Sequence, residues 1–247
     1  VVLARFRAEE AARLHLVLML SLTFSTGVVD AVGFLALDRV FVGNMTGNVV
    51  ILGMGAVGAE DLPVLGPTLA LVGFLLGAAI GGRALRSASR VWSARISSLL
   101  LAAGAVSIVV GLVLVVASDL SHEATIALSS SLAVALGMQA AAARHLAVKD
   151  VTTVVVTSTL TGLAADSRFG NGSGSGTGRR TCAVVLLLTG AVCGGVAALT
   201  VPGVGLLASG AICLVVAALG EAHARAARPR GADRRAPKLT SVGRHGS

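Results

Sequence analysis

Seven polar side chains in an otherwise apolar chain are placed where they could handle a solute: Asp30, Asn44, Thr46, Asn48, Gln139, Thr157 and Thr159. The densest group is the interruption Gly43-Asn44-Met45-Thr46-Gly47-Asn48, which has a weaker echo at Thr157-Ser158-Thr159. Asn and Thr side chains can satisfy backbone groups that a broken helix leaves open, and Gly43 and Gly47 permit positive φ or close approach. Capping is therefore one role for the group. The other is a half-helix whose free N–H groups point into the protein, an arrangement that favours an anionic or polar solute. Asp30 lies inside an apolar run and shares a helical face with Thr23 and Thr26. An intramembrane carboxylate costs about 3 kcal/mol on insertion scales and faces a bundle interior or a hydrated path. Asp30 is either a coupling group or a brace bonded to irregular backbone near Asn44. Gln139, on a face with Ser131 and Ala135, fits an interhelical hydrogen bond or the lining of a site.

The elements that must carry these residues are set by hydropathy. A mean hydropathy of +0.87 and long Val/Leu/Ala runs parted by short charged loops describe a multi-span membrane protein. The runs are apolar all round, whereas a soluble helix keeps a wet face. The net charge of +8 falls between the runs and in the tail, and aromatics are scarce, which argues against nucleic acid as a partner. Eight segments are legible: Leu14 to Leu37, Val40 to Val57, Val64 to Gly82, Ile96 to Ala117, Ala124 to Ala143, Val151 to Ala164, Cys182 to Leu199 and Gly203 to Gly220. The sixth reaches only about 21 Å as a helix, short of a ~30 Å hydrocarbon core, and the second carries the polar interruption. Both read as re-entrant or broken. The expected fold is all-α, with six transmembrane helices and two broken segments in one membrane domain over 1–220, followed by a disordered basic tail over 221–247.

Charge tests that count. With six crossings and a cytoplasmic N-terminus, nineteen of the twenty Lys and Arg are inside and only Arg39 is outside; with eight crossings the split is thirteen to seven. The bias toward basic cytoplasmic loops selects six, with both termini cytoplasmic in the plasma or inner membrane. Glu60, Asp61, Asp119 and Glu123 then fall in outside loops. The basic stretch Arg5 to Arg13 leads into a run too long for a signal-peptide core, so the first span is expected to direct insertion. His15 and Arg13 read as interfacial anchors and Trp92 as an interfacial aromatic. Cys182, Cys193 and Cys213 fall in spans without metal-ligand spacing and read as packing residues.

The halves repeat. The 111 residues separating Thr46 from Thr157 also separate Val40 from Val151, and a charged pair precedes each odd segment, Asp38-Arg39 and Lys149-Asp150. Gly73, Gly77 and Gly81 in one half answer to Gly190 and Gly194 in the other. Three crossings per half require the second repeat, about 124–220, to be inserted upside down relative to the first, about 14–118. Inverted repeats with broken helices are common in secondary transporters. The run Gly170 to Gly178 is a flexible connection without the lysine of a phosphate-binding loop.

The stretch Asp30-Ala-Val-Gly-Phe-Leu, with Val40-Phe-Val-Gly-Asn-Met-Thr-Gly-Asn-Val-Val-Ile-Leu-Gly53, resembles the signature of the YoaK-like membrane proteins, the family with domain of unknown function 1275. Gly137-Met-Gln139, Arg144 and Thr157-Ser-Thr-Leu160 resemble its second signature. The resemblance extends to about Gly220; it implies an integral membrane protein and no particular substrate. No catalytic triad, paired carboxylates or metal cluster is legible, so neither an enzyme nor a cofactor is expected. The expectation is passage of a small polar or anionic solute, or an ion, through a site lined by the seven residues. The rival is an interaction scaffold in which glycine-rich spans assemble a homo-oligomer in the bilayer.

Overall fold

The computed structural model describes residues 2–59, 62–117, 119–147, 156–167, 170, 172 and 176–227, with side chains from Glu9 onward. Glu60, Asp61, Lys149, Asp150, the start of the sixth segment at Val151, most of the glycine-rich connection and the tail beyond Ala227 lie outside the described residues. Eight helices are present among those described, and no strand: α1 (Val2–Ala36), α2 (Met45–Ala56), α3 (Leu65–Leu85), α4 (Ala94–Val116), α5 (His122–Leu146), α6 (Val156–Ala165), α7 (Thr177–Thr200) and α8 (Pro202–Ala227). Six are long and apolar enough to cross a membrane, α1 counting from Glu9. At about 1.5 Å per residue, α2 reaches roughly 18 Å and α6 roughly 15 Å, too short to cross a ~30 Å core. Helix α8 runs through Ala227, past Glu221 where the tail was expected to begin.

Glycines set which helices touch, because in lipid the close approach of backbones replaces hydrophobic driving force. Gly73, Gly77 and Gly81 of α3 lie against Ser130, Val134 and Met138 of α5; a Cβ on Gly77 would run into the carbonyl oxygen of Val134. Both number series ascend together, so α3 and α5 are parallel. Gly190 and Gly194 of α7 lie against Phe24 and Val28 of α1, again parallel. Gly104 faces Gly210, and Gly111 faces Gly203, which makes α4 and α8 antiparallel. These directions fix the number of crossings. If α2 and α6 both crossed, α4 and α8 would be parallel; if only one did, α1 and α7 would be antiparallel. Six passes satisfy all three pairs.

The pairing is unchanged when the first four helices are exchanged for the last four. Helix α3 packs on α5 as α7 packs on α1, α2 on α3 as α6 on α7, and α4 meets α8. Gly137 meets Phe74 and Ala78 as Gly27, 110 residues earlier, meets Leu187 and Ala191.

The bundle has a proximal end, where α1 begins, and a distal end, where α1 stops. A proximal apolar cluster contains Leu18, Leu22, Trp92, Ile96, Leu100 and Val216, and a distal one contains Val29, Val32, Leu37, Val42, Leu132 and Leu206. Between them lie buried Ser25, Thr26, Gln139 and Ser209. Trp92 is packed inside the protein instead of facing outward. It is 4% exposed, wedged between Gly220 of α8 and the stacked ring of His15, 5.7 Å away, and its indole N–H donates to Ser97 Oγ at 2.9 Å. A glycine at 220 leaves the ring-sized space that draws the side chain inward.

Candidate functional site around the first broken segment

After α1 stops at Ala36, the chain turns through Asp38 and Arg39, both left-handed (φ 57° and 53°), and runs back along α1 toward the bundle interior. Gly33 lets the Val40 carbonyl lie on the helix, Phe41 stacks on Phe34 at 4.7 Å, and Gly43 arrives beside Thr26 and Asp30. Six residues separate Asp30 from Ala36, so the break lies about 9 Å inside the distal end of α1. From there α2 turns back toward the distal end, and Gly55 packs on Val64 at the start of α3. The segment therefore enters and leaves on one side; α2 packs on α3, with Asn48 buried near its start and Asn44 and Thr46 exposed.

Each polar residue at the break has a defined task. Asp30 Oδ1 accepts the backbone N–H groups of Gly43 at 2.7 Å and Asn44 at 3.3 Å. Asn44 is the N-cap of α2, its side-chain oxygen accepting from Gly47 N–H at 3.4 Å. Asn48 is fully buried and grips the incoming segment at one residue, accepting from Phe41 N–H at 3.0 Å and donating to Phe41 C=O at 2.6 Å. Gly47 is required because the Phe41 ring fills the space a Cβ would take. Non-helical backbone at membrane depth needs such internal partners, since lipid offers none. Asp30 thus holds the two N–H groups that lead into α2, while Asn44 serves the Gly47 N–H of its first turn.

The other candidates divide. Gln139 is buried and donates to Thr26 Oγ1 at 3.2 Å, while its carbonyl oxygen accepts from Cys213 Sγ at 3.5 Å. Because Thr26 also touches Gly43, Gln139 is one side chain removed from the break. Thr46 is exposed on α2. Thr157 is exposed and Thr159 buried on α6, which packs on α7 and on no other described helix. The structure thus gathers Asp30, Asn44, Asn48 and, through Thr26, Gln139, and leaves Thr157 and Thr159 apart from them. Sequence reasoning missed Phe34, Phe41 and Gly33, whose signal was a seven-residue spacing between two aromatics across a turn. It also missed the Ser25–Ser209 hydroxyl pair at 2.6 Å.

Above the break, a distal cleft of about 540 Å³ is lined by Asp38, Arg39 and His122 with Leu35, Pro63 and Leu65. His122 Nδ1 stands 3.9 Å from Asp38 Oδ1. Of the three cysteines, Cys182 and Cys193 are exposed and Cys213 is buried, its thiol also reaching Leu100 C=O at 3.2 Å. Among the described residues no group of three His, Cys, Asp or Glu side chains could hold a metal.

A family model described as a protein of unknown function, DUF1275, matches residues 18–219, which include the break, the cleft and all seven candidate residues. The chain belongs to this family. A curated relative, the UPF0700 transmembrane protein YoaK of Bacillus subtilis (strain 168), is 29% identical over 157 residues, 63% of this chain and 68% of the relative. No solved structure matches. The family membership and the six crossing helices make this a multi-pass membrane protein.

Proposed function

We propose that the protein carries a small polar solute across the membrane, and that the charge on Asp30 decides whether the first half-helix stays docked. One observation carries this reading: the N–H groups of Gly43 and Asn44, at the root of the half-helix, are held by a carboxylate of α1. A carboxylate holds two N–H groups more strongly than a neutral acid does. Protonation therefore loosens the root of α2, below the distal cleft, and opens a way from the exposed Asn44 and Thr46 to the buried Gln139. Because Asp30 already places a carboxylate at this root, the geometry favours a neutral or cationic solute over an anionic one. The exchangeable helix pairing supports an inverted repeat, the usual frame for such carriers. The proximal end is read as cytoplasmic in the inner membrane, since Arg13, Arg83, Arg86, Arg95, Arg144, Arg179 and Arg225 cluster there against Arg39 distally.

The test is a proteoliposome assay with an entrapped pH dye, challenged with amino acids, polyamines, sugars and organic acids. At least one class should shift the internal pH, and Asp30→Asn, whose amide oxygen still accepts both N–H groups, should abolish the shift while remaining folded. Silence of the intact, reconstituted protein toward every class would reject carriage. A scaffold reading has its own observation, that Asp30 and Asn48 are both bonded to backbone. It predicts that same silence together with loss of folding in Asp30→Asn.

A further inference from the structure

On the outer face of the bundle, α1, α7 and α8 leave an apolar groove of about 320 Å³, lined by Val17, Leu20, Ser21 and Phe24 of α1, Leu186 of α7 and Ile212 of α8. Its α1 wall is a single helical stripe, and Ser21 closes its own hydroxyl on Val17 C=O at 3.0 Å, so it offers no free polar group. From Val17 to Phe24 the groove runs about 10 Å, within the ~15 Å of one hydrocarbon leaflet. Arg13 lies one turn beyond Val17 on the same stripe, and Arg179 lies two turns before Leu186 on its face of α7. The register makes them neighbours in height: Arg13 and Arg179 are 166 residues apart, as are Phe24 and Gly190, and Val28 and Gly194, which touch. Both arginines are exposed, and neither has an acidic partner among the described residues. Arg180, next in the chain, is instead paired with Asp166 at 2.5 Å.

We propose that this groove holds one acyl chain of an anionic phospholipid whose phosphate is held between Arg13 and Arg179. The apolar wall fits an alkyl chain, and Arg13 and Arg179 hold helix positions one and two turns proximal to its lining on α1 and α7. Guanidinium recognises phosphate by paired N–H bonds. A lipid seated there spans α1 and α7, the pair whose contact is otherwise made by Gly27, Gly190 and Gly194.

The experiment compares melting temperatures of the purified full chain in detergent after adding phosphatidylglycerol, phosphatidylcholine or glycerol 3-phosphate, with retained lipid counted by native mass spectrometry. Phosphatidylglycerol should raise the melting temperature and remain bound at one copy per chain, and the other two should do neither. The double variant Arg13→Gln/Arg179→Gln should lose both effects, and so should Val17→Trp, which fills the mouth of the groove from an exposed position and leaves the arginines in place. Equal stabilisation by phosphatidylcholine, an equal response to glycerol 3-phosphate, or survival of the effect in either variant would overturn the proposal.

Discussion

The two short helices occupy matching places in the helix pairing, and the described contacts around each differ in kind. Around α2 the lock is built at the start of the half-helix: Asp30 takes the Gly43 and Asn44 N–H groups, Asn44 caps, and Asn48 grips Phe41. Around α6 the described lock lies near its end, where Asp166 pairs with Arg180 of α7 and the arginine lies over Gly162. The residue 110 positions after Asp30, by the spacing that relates Gly27 to Gly137, is Ala140, so the second half has no carboxylate there. Backbone packing repeats between the halves among the described residues, and the carboxylate that holds the first break has no counterpart at Ala140. Glycine contacts fix the shape of a bundle and tolerate little change; the polar side chains they carry are free to diverge.

That contrast can be broken first at the shared packing. Gly77→Leu and Gly190→Leu each force a side chain into a neighbouring backbone, at Val134 and Phe24, where overpacking costs about 1–3 kcal/mol or more. Both should abolish a monodisperse peak in fluorescence-detected size exclusion, and to the same extent. A tolerant Gly190 beside an intolerant Gly77 would mean that the halves do not share their packing.

The contrast sharpens at the two matched polar positions. Asn48→Ala strands the N–H and C=O of Phe41, and each buried unsatisfied group costs about 1–3 kcal/mol. Thr159→Ala removes a single hydroxyl, worth roughly 1 kcal/mol. The melting midpoint in detergent should therefore fall clearly further for Asn48→Ala; equal falls would assign the second break a lock as strong as the first.

The smallest effect is expected at the α6 latch. Asp166 and Arg180 are about a quarter and a fifth exposed, so Asp166→Asn should cost no more than about 1 kcal/mol. Added salt should shrink the difference from wild type, read by the same midpoint. A large, salt-independent loss would make this latch the equal of the Asp30 lock.

The six crossings and the two short segments were legible because hydrocarbon thickness turns length into topology, as α2 and α6 show. The polar motif was legible because lipid forbids unpartnered backbone. Its partner was only half legible. Asp30 was recognised as a costly carboxylate, but its bond to Gly43 depends on the left-handed turn at Asp38 and Arg39, which places two residues thirteen apart side by side. Trp92 was misread because an aromatic near a span end usually sits at the interface; only the gap above Gly220, from a helix 128 residues later, draws it in. Thr157 and Thr159 matched the first motif by spacing, and α6 packs on α7 as α2 packs on α3; spacing does not tell whether the two half-helices share one site.

Trp92 has a practical consequence as well. It is the only tryptophan, and the chain has no tyrosine, so all long-wavelength ultraviolet emission comes from one indole pressed between α1 and α8 at the proximal end. Any state in which those helices part there wets that indole and removes the stacked imidazole, changing the colour and lifetime of the whole protein's fluorescence. The native chain thus carries a single-site optical probe of its proximal closure, with no label attached.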